Sequence, residues 1–299
     1  MLSTLQGKEK ETLYIIGNGF DLYHGVKSKY KHFYCWLNLN DHEEFVNEME
    51  MFFPRLEISS CSLWSNFEQV LNKYIPNDIY QQLREHPDNP WNESELDKAV
   101  AGLNFIVNNM RPLMKDWAEH IDTQNVKQKL PLSKESLYLT FNYTKILEDV
   151  YTIPQNHICH IHGSIDSNEV IVGHNLTTAP DYYKKAKTPE EERVCERITE
   201  IMQQLNKRIK KNITESSFFD SLQNITNVVV IGHSMSSIDL PYFCEISERI
   251  VPNSCWYFSS YKNTYDIDMR IQSFINYTSF KCRRKLLKEY CKPFELPIC

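Results

Sequence analysis

The chain has 299 residues, of which 41% are hydrophobic and 24% are charged, which describes a globular protein with a sizeable core and excludes a disordered chain. A formal net charge of −6 argues against nucleic-acid or anionic-membrane binding driven by overall charge. The polar first residues lack a signal peptide and no run of about 18 apolar residues predicts a membrane span, so we expect a cytoplasmic protein.

The first predicted element is a buried strand, Leu13–Ile16, which runs into the turn Gly17-Asn18-Gly19. Two glycines allow a tight turn without a Cβ to block a ligand, and a helix after the turn would direct N–H groups at a phosphate. The dinucleotide fingerprint Gly-x-Gly-x-x-Gly is incomplete, because Leu22 occupies its third glycine position. Asn-Gly is also typical of a type I′ hairpin, so the turn alone indicates either a phosphate loop or a hairpin.

Further short apolar runs, each followed by a polar turn, predict the other strands of a sheet. Continuous apolar runs without alternation are typical of parallel strands covered on both faces. The predicted fold is therefore a single α/β domain over residues 1–299, with a doubly wound, Rossmann-like, mostly parallel sheet and helices on both faces. The runs are Ser136–Phe141, Ile158–Ile161, Val170–Val172, Val228–Ile231 and Cys255–Phe258.

Two long stretches between the predicted strands carry helical patterns, and we interpret them as insertions at approximately residues 31–134 and 180–225. Helical insertions at the carboxyl edge of a sheet would cover the crevice in which open α/β sheets bind ligands. The patterns include Asp41–Phe52, Leu63–Tyr74, Ser94–Asp122 and Thr188–Gln223.

The nine cysteines form no Cys-x-x-Cys pair, so no structural zinc site is predicted. In a reducing compartment they are expected to be thiols, with Cys291 and Cys299 the most exposed. A basic cluster near the end of the chain is interpreted as the solvated face of a helix rather than a nucleic-acid surface. Its members are Lys281, Arg283, Arg284, Lys285 and Lys288.

Polar residues and glycines follow several predicted strands at their carboxyl ends. Because the carboxyl ends of parallel strands meet at one edge of a sheet, these residues are expected to share a ligand crevice. His160 and His162 share one face of their strand, but no third ligand at a diagnostic spacing accompanies them, so no metal is predicted. The segments are Thr140–Thr144, His160–Ser164, Gly173–Asn175 and Gly232–Ser234, the last with Asp239 downstream.

Together these segments resemble the bacteriophage abortive-infection AbiH family, in matches that run in order from residue 13 to residue 243. The family is in turn similar to the sirtuin fold, through its Gly-x-Gly loop, its Thr-x-Asn-Tyr strand end, its His-Gly step and a late Gly-x-Ser with a downstream Asp. The resemblance therefore implies a sirtuin-like variant of the predicted sheet. The matching residues are Ile15–Leu22, His24-Gly25, Leu63–Glu68, Phe141–Thr144, His160–Gly163 and Gly232–Ser234 with Asp239.

The resemblance implies a site that consumes NAD as a substrate and needs no metal. Asn142 matches the catalytic asparagine of sirtuin-like enzymes, and His162, which precedes Gly163, matches their catalytic histidine. The remaining matches imply contacts with the nucleotide, while the roles of Glu68, His160 and His174 stay open. The implied nucleotide-binding residues are Gly17, Asn18, Gly19, Phe20, Asp21, Gly163, Gly232, His233, Ser234 and Asp239.

Two departures from the sirtuin pattern limit what the resemblance implies. The chain lacks the paired Cys-x-x-Cys motifs of the sirtuin zinc ribbon, which disfavours deacylation of protein lysines. Asp21 stands where sirtuins carry a hydroxyl residue, and a carboxylate there would repel a pyrophosphate. Asp21 is expected either to bind the ribose hydroxyls or to cap a helix.

The implied function is anti-phage defence by hydrolysis of NAD to nicotinamide and ADP-ribose. Nicotinamide is a cationic leaving group, so the site has to supply orientation, a base and control of water. Asn142 offers a donor and an acceptor to a ribose hydroxyl and a water, and neutral His162 can accept a proton.

A nucleotide-binding sensor without turnover is the alternative function, whereas a nuclease would require a clustered carboxylate or histidine metal site that the sequence does not show. The expected partners are a small nucleotide and either another copy of the chain or a phage-derived trigger. Neither a membrane nor a nucleic acid is expected among them.

Overall fold

A computed structural model describes residues 5–53, 67–74, 76–85, 93–176, 188–260 and 264–297. The chain divides into two compact units. The first unit comprises Met1–Ser28, Ala118–Asn168 and Arg208–Cys299, and the second comprises Lys29–Trp117 and Glu169–Lys207.

The six strands found in the described residues belong to one sheet in the first unit. The strands are β1 (Thr12–Ile16), β2 (Leu137–Thr140), β3 (Ile158–His160), β4 (Asn227–Ile231), β5 (Cys255–Ser260) and β6 (Cys291–Glu295). The helices are α1 (Asn18–Tyr23), α2 (Tyr30–Leu39), α3 (Glu43–Phe52), α4 (Phe67–Leu71), α5 (Pro76–Glu85), α6 (Glu93–Glu119), α7 (Ile146–Asp149), α8 (Pro189–Gln203), α9 (Ile209–Glu215), α10 (Leu240–Arg249) and α11 (Thr264–Lys281). Short 3-10 helices cover Glu9–Glu11, Gln155–His157, Ser217–Asn224 and Lys288–Tyr290.

The sheet is parallel throughout and has the strand order β3-β2-β1-β4-β5-β6. In the register of β1, Ile16 lies opposite Thr140 of β2 on one side and Ile231 of β4 on the other. This is the order of doubly wound dinucleotide-binding sheets, in which the chain reverses direction across the sheet between the first and fourth strands. The carboxyl ends of β1 and β4 therefore meet at the point where such sheets bind ligands.

Alternate residues of the central strands enter two apolar clusters on opposite faces of the sheet. Leu13 and Val228 pack in a cluster with Phe243 of α10, which also includes residues of α9 and α11. Tyr14 and Val229 pack in the other cluster, with residues of α1 and α7. Every residue of β1 and β4 is buried, as expected for parallel strands covered on both faces. The predicted α/β class is confirmed.

The prediction of a strand at Val170–Val172 is wrong, because this segment has no regular secondary structure and belongs to the second unit. Val170 and Val172 are nonetheless fully buried, so the apolar run indicated burial rather than sheet pairing. Periodicity cannot separate the two for a run this short. The sequence analysis also missed β6, an edge strand with Pro293 inside it and exposed polar residues along it. Proline is tolerated in sheets mainly at such edges.

The two stretches with helical patterns contain helices. The first, between β1 and β2, contains α2 to α6, and the second, between β3 and β4, contains α8 and α9. Of the predicted helix Leu63–Tyr74, residues 63–66 lie outside the described part of the chain, and α4 covers Phe67–Leu71 of the rest. The stretch Thr188–Gln223 is divided into α8, α9 and a 3-10 helix. None of the described helices is long and apolar enough to cross a membrane.

The expectation that all cysteines are thiols is wrong for Cys244 and Cys282, which form a disulfide between α10 and the residue after α11. Cys291 is buried in β6 rather than exposed, and Cys299 lies outside the described residues. Burial in a β-strand raises the pKa of the Cys291 thiol to about 12, which makes it a poor nucleophile.

The basic residues 283–288 do not form a helix face as predicted, because α11 ends at Lys281. The guanidinium of Arg284 instead donates to the carbonyl oxygens of Ser247, at 3.1 Å, and Ile250, at 2.7 Å, at the end of α10. A cation that satisfies terminal helix carbonyls stabilises the helix end.

Candidate functional site

The turn Gly17-Asn18-Gly19 connects β1 directly to α1, and the partners of β1 are both parallel to it, so the turn is not a hairpin. The N–H of Gly17 donates to the carbonyl of Ile231 at 3.0 Å, and that of Gly19 donates to the carbonyl of Gly232 at 2.7 Å. These two N–H groups therefore hold the turn against the end of β4.

Close packing of these two turns explains the glycines. A Cβ on Gly17 would lie 2.6 Å from the Cα of His233, and one on Gly19 would lie 2.6 Å from the Cα of Gly232. Gly232 has a φ of +66°, and a Cβ there would lie 2.2 Å from the backbone nitrogen of Phe20. The backbones of the β1 and β4 turns thus interlock at the switch point of the sheet, and no side chain fits between them.

Asp21 of α1 is buried and accepts two hydrogen bonds from the segment that follows β2. The amide Nδ2 of Asn142 donates to its Oδ1 at 2.6 Å, and the hydroxyl of Thr144 donates to its Oδ2 at 2.7 Å. Burial raises the pKa of the Asp21 carboxyl to about 7, although both hydrogen bonds and the charge of His160 act in the opposite direction. Asp21 caps no helix in this arrangement; it joins α1 to the end of β2.

Asn142 is held in one orientation by two acceptors. Besides the bond to Asp21, its Nδ2 donates to the carbonyl of Gly17 at 3.2 Å. A side-chain amide has two N–H hydrogens, and both are engaged here, so Asn142 can contact a ligand only through its Oδ1 acceptor. The sequence analysis expected it to use both its donor and its acceptor.

His162 lies just beyond β3, and its buried Nε2 is 3.6 Å from Oδ1 of Asp239, the N-cap residue of α10. The ring packs edge-on against Phe141, at a centroid distance of 5.0 Å, and against Tyr242, at 6.0 Å. Gly163, with a φ of +77°, makes the turn that follows. Aromatic walls and a buried carboxylate therefore fix the position of the imidazole.

Phe141 links the two halves of this arrangement. Its ring contacts both His162 and His233, the latter at a centroid distance of 4.3 Å, and it immediately precedes Asn142. His233 in turn accepts a hydrogen bond from the Met235 N–H through Nδ1 at 2.9 Å. The residues that the structure brings together at the carboxyl ends of β1 to β4 are Gly17, Gly19, Asp21, Asn142, His162, Gly163, Gly232, His233 and Asp239.

The side chains of three residues that the resemblance implied lie apart from this network. Phe20 is buried in the apolar cluster against His24 and Tyr151. Asn18 is exposed and exchanges hydrogen bonds with Ser28, and Ser234 is exposed after the β4 turn. 

Three residues that sequence reasoning did not assign also belong to the site. Thr144 lies in a segment that the sequence analysis singled out, so its neighbourhood could have identified it. Glu148, on α7, pairs with His160 across 2.8 Å, and Tyr242, on α10, is fully buried against His162. No sequence signal marks these two, because each one is defined by its contact with a histidine on another element.

Glu68 and His174, whose roles the sequence left open, belong to the second unit. There Glu68 accepts from the fully buried ammonium of Lys207 at 2.8 Å and from the Gly173 N–H at 3.4 Å. A Cβ on Gly173 would lie 1.8 Å from the Leu205 carbonyl oxygen, and the Nε2 of His174 donates to the Met202 carbonyl. These contacts hold the segment Gly173–Asn175 inside the second unit.

The fold and the network define the class of protein: a doubly wound α/β protein with an acid, amide and histidine network at the carboxyl edge of its sheet. Sheets of this order bind their ligands at that edge. Among the described residues, no group of three or more His, Cys, Asp or Glu side chains could hold a metal ion. The sequence model of a family described as "Bacteriophage abortive infection AbiH" matches residues 13–261, and the chain belongs to this family. Its function is thus abortive-infection defence against phage. No curated protein and no solved structure matches the chain.

Proposed function

We propose that this chain acts in phage defence by hydrolysing the bond between nicotinamide and ribose in NAD, which releases nicotinamide and ADP-ribose. One observation carries the proposal: His162 with Asp239, and Asn142 with Asp21, lie at the carboxyl ends of adjacent strands where a sheet of this order binds nucleotides. A base and an oriented polar group beside a nucleotide are what this hydrolysis requires.

In this proposal His162 is the base. Its Nε2 faces Asp239, so the carboxylate favours the tautomer with the proton on Nε2 and leaves Nδ1 to accept a proton from water. The imidazolium that forms lies beside a buried carboxylate, which stabilises the charge. Asp239 would thus serve both tautomer selection and charge stabilisation.

Asn142 orients the reacting groups through its Oδ1. Because both amide hydrogens are held by Asp21 and Gly17, Oδ1 would accept a hydrogen bond from a ribose hydroxyl or from the attacking water. Asp21 is then a residue that positions Asn142, which accounts for a carboxylate where sirtuins carry a hydroxyl. The pyrophosphate would be held by groups other than the N–H groups of Gly17 and Gly19, which donate to the carbonyls of Ile231 and Gly232.

The test is incubation of the purified chain with NAD, with nicotinamide and ADP-ribose quantified by chromatography and NAD affinity measured by calorimetry. His162→Ala should lower the rate by roughly 10²–10⁴-fold, the usual contribution of a positioned base, while NAD still binds. His157→Ala is the matched control, because His157 lies before β3, at the opposite edge of the sheet, and should leave the rate unchanged.

The same measurements distinguish the alternative function. NAD or ADP-ribose binding without turnover, in the pure protein and in extracts of phage-infected cells, would make the chain a nucleotide sensor. Absence of binding to either nucleotide would reject both functions. Equal activity of His162→Ala and His157→Ala would reject the assigned base.

A further inference from the structure

His160, at the end of β3, contacts an acceptor with each ring nitrogen. Its Nδ1 lies 3.0 Å from the backbone carbonyl oxygen of Asn142, and its Nε2 lies 2.8 Å from Oε1 of Glu148 on α7. The carbonyl can only accept, so Nδ1 has to donate. The histidine therefore spans the segment that carries Asn142 and the helix that follows it.

The hydrogen bonds of His160 require more protons than a neutral imidazole and an ionised carboxylate together supply. A neutral imidazole has one N–H, which the Asn142 carbonyl uses, and a carboxylate has none. The contact between His160 Nε2 and Glu148 thus needs one further proton, on the ring or on the carboxyl group. Both side chains are largely buried, with 13% and 15% of their area exposed, so water screens their interaction only weakly.

The ordinary acidities of the two groups favour the proton on the ring. A free glutamate carboxyl has a pKa of about 4.3 and a free imidazolium has one of about 6.5, so the imidazole is the stronger base of the two. Lys145, which precedes α7 and pairs with Asp166, is a positive charge that also interacts with Glu148. An ionised Glu148 then requires an imidazolium at His160.

We propose that His160 and Glu148 are positioning residues for Asn142: His160 is an imidazolium that Glu148 holds in place, and it fixes the Asn142 backbone and places a positive charge beside Asp21. The link to catalysis rests on the proposed function, through the role given to Asn142. The protonation of His160 and its effect on Asp21 do not depend on that role.

Glu148→Gln tests the charge without removing the hydrogen bonds. A glutamine amide can donate to Nε2 of a neutral imidazole while Nδ1 still donates to Asn142, so the extra proton is no longer needed. His160→Asn is the complementary variant, because its amide can replace the Nδ1 donor and lacks the charge. Asp149→Asn is the matched control, since Asp149 is an exposed carboxylate on the same helix.

The measurement is nitrogen NMR of the full chain labelled at histidine, with the His160 signals identified by their loss in His160→Asn. Near pH 7 the wild type should show hydrogens on both His160 nitrogens, and Glu148→Gln should show one on Nδ1 alone. Carboxyl carbon NMR should show the Asp21 titration midpoint moving upward by roughly half to one pH unit in Glu148→Gln and not in Asp149→Asn.

A single protonated nitrogen on wild-type His160 would overturn the proposal, as would an Asp21 midpoint that Glu148→Gln does not move. If NAD is hydrolysed, the pH profile of the rate should shift in Glu148→Gln and stay unchanged in Asp149→Asn. Failure of the proposed function would abolish only this activity comparison. Both NMR results would still decide whether His160 is the charged positioning residue.

Discussion

The side-chain amide of Asn142 donates to the carboxylate of Asp21 across 2.6 Å, although the two residues are 121 positions apart. Asp21 follows β1 and Asn142 follows β2, so this hydrogen bond ties together the ends of two neighbouring strands. The same amide also reaches Gly17, whose backbone packs against the β4 turn. Asn142 therefore connects three strand ends, and these contacts fix the direction of its Oδ1 acceptor.

The burial of Asp21 predicts that the chain loses stability as the pH rises. The pKa of its carboxyl is raised from 3.8 to about 7, so the folded chain binds this proton more tightly than the unfolded chain does. Stability from this group is complete below pH 4 and is lost as the pH rises through 7. In Asp21→Asn the amide oxygen can accept from Asn142 and the amide nitrogen can donate to the Thr144 hydroxyl, and neither group titrates. The stability of this variant relative to wild type should therefore increase by roughly 4 kcal/mol between pH 4 and pH 8.

Urea unfolding of both proteins across this pH range measures the effect. Asp268→Asn is the control, because Asp268 is exposed on α11 and its replacement should leave the pH dependence of wild type unchanged. The difference in free energy of unfolding between Asp21→Asn and wild type should change with pH. If this difference is constant from pH 4 to pH 8, burial of Asp21 does not disfavour its charged form.

Replacement of Asp239 should weaken the base without removing it. Asp239→Asn leaves a neutral group beside His162 Nε2, which no longer stabilises the imidazolium. We expect the rate of NAD hydrolysis to fall by roughly 10- to 100-fold, less than for His162→Ala, because a lost partner charge shifts a pKa by about 1–2 units. Steady-state rates across pH 5–9 measure this effect. An unchanged rate would show that Asp239 has no role in the reaction.

The contact between the β1 and β4 turns predicts an unusual sensitivity at Gly19. A Cβ there would lie 2.6 Å from the Gly232 Cα and would force backbone apart, so Gly19→Ala should destabilise the chain by roughly 2–3 kcal/mol. Gly25→Ala is the control, since Gly25 has a positive φ but no atom within 4 Å of an added Cβ, and should cost about 1 kcal/mol. Equal unfolding midpoints for the two variants would contradict this account.

The disulfide between Cys244 and Cys282 should make stability depend on redox conditions. Its partners are 38 positions apart, and closing a loop of that length in the unfolded chain stabilises the folded state by roughly 3–4 kcal/mol. Dithiothreitol should therefore lower the unfolding midpoint of wild type and leave that of Cys244→Ser unchanged. Cys35→Ser, at an exposed cysteine outside the disulfide, should behave like wild type. An equal response of Cys244→Ser and wild type would exclude this bond.

The local sequence pattern was sufficient to predict most strands of the sheet. The apolar runs at β1 and β4 are buried on both faces and were predicted, because a strand covered on both sides has to be apolar at every position. The same rule failed at Val170–Val172, which is equally apolar and buried without pairing, and at β6, whose edge position permits polar residues and Pro293. The apolar composition of a segment predicts that it is buried. Whether the segment also pairs in the sheet depends on which other segments become its neighbours.

The sequence by itself determined the family, the α/β class and the polar residues that follow the strands, among them Asn142 and His162, with Asp239 before α10. That these residues act on a ligand stays a prediction. Only the tertiary structure decided their partners: Asp21 with Asn142, His160 with Glu148, and the Gly19 backbone with Gly232. The physical reason is that a strand end is a local property of the chain, while a hydrogen bond or close contact between two strand ends depends on the order of strands in the sheet.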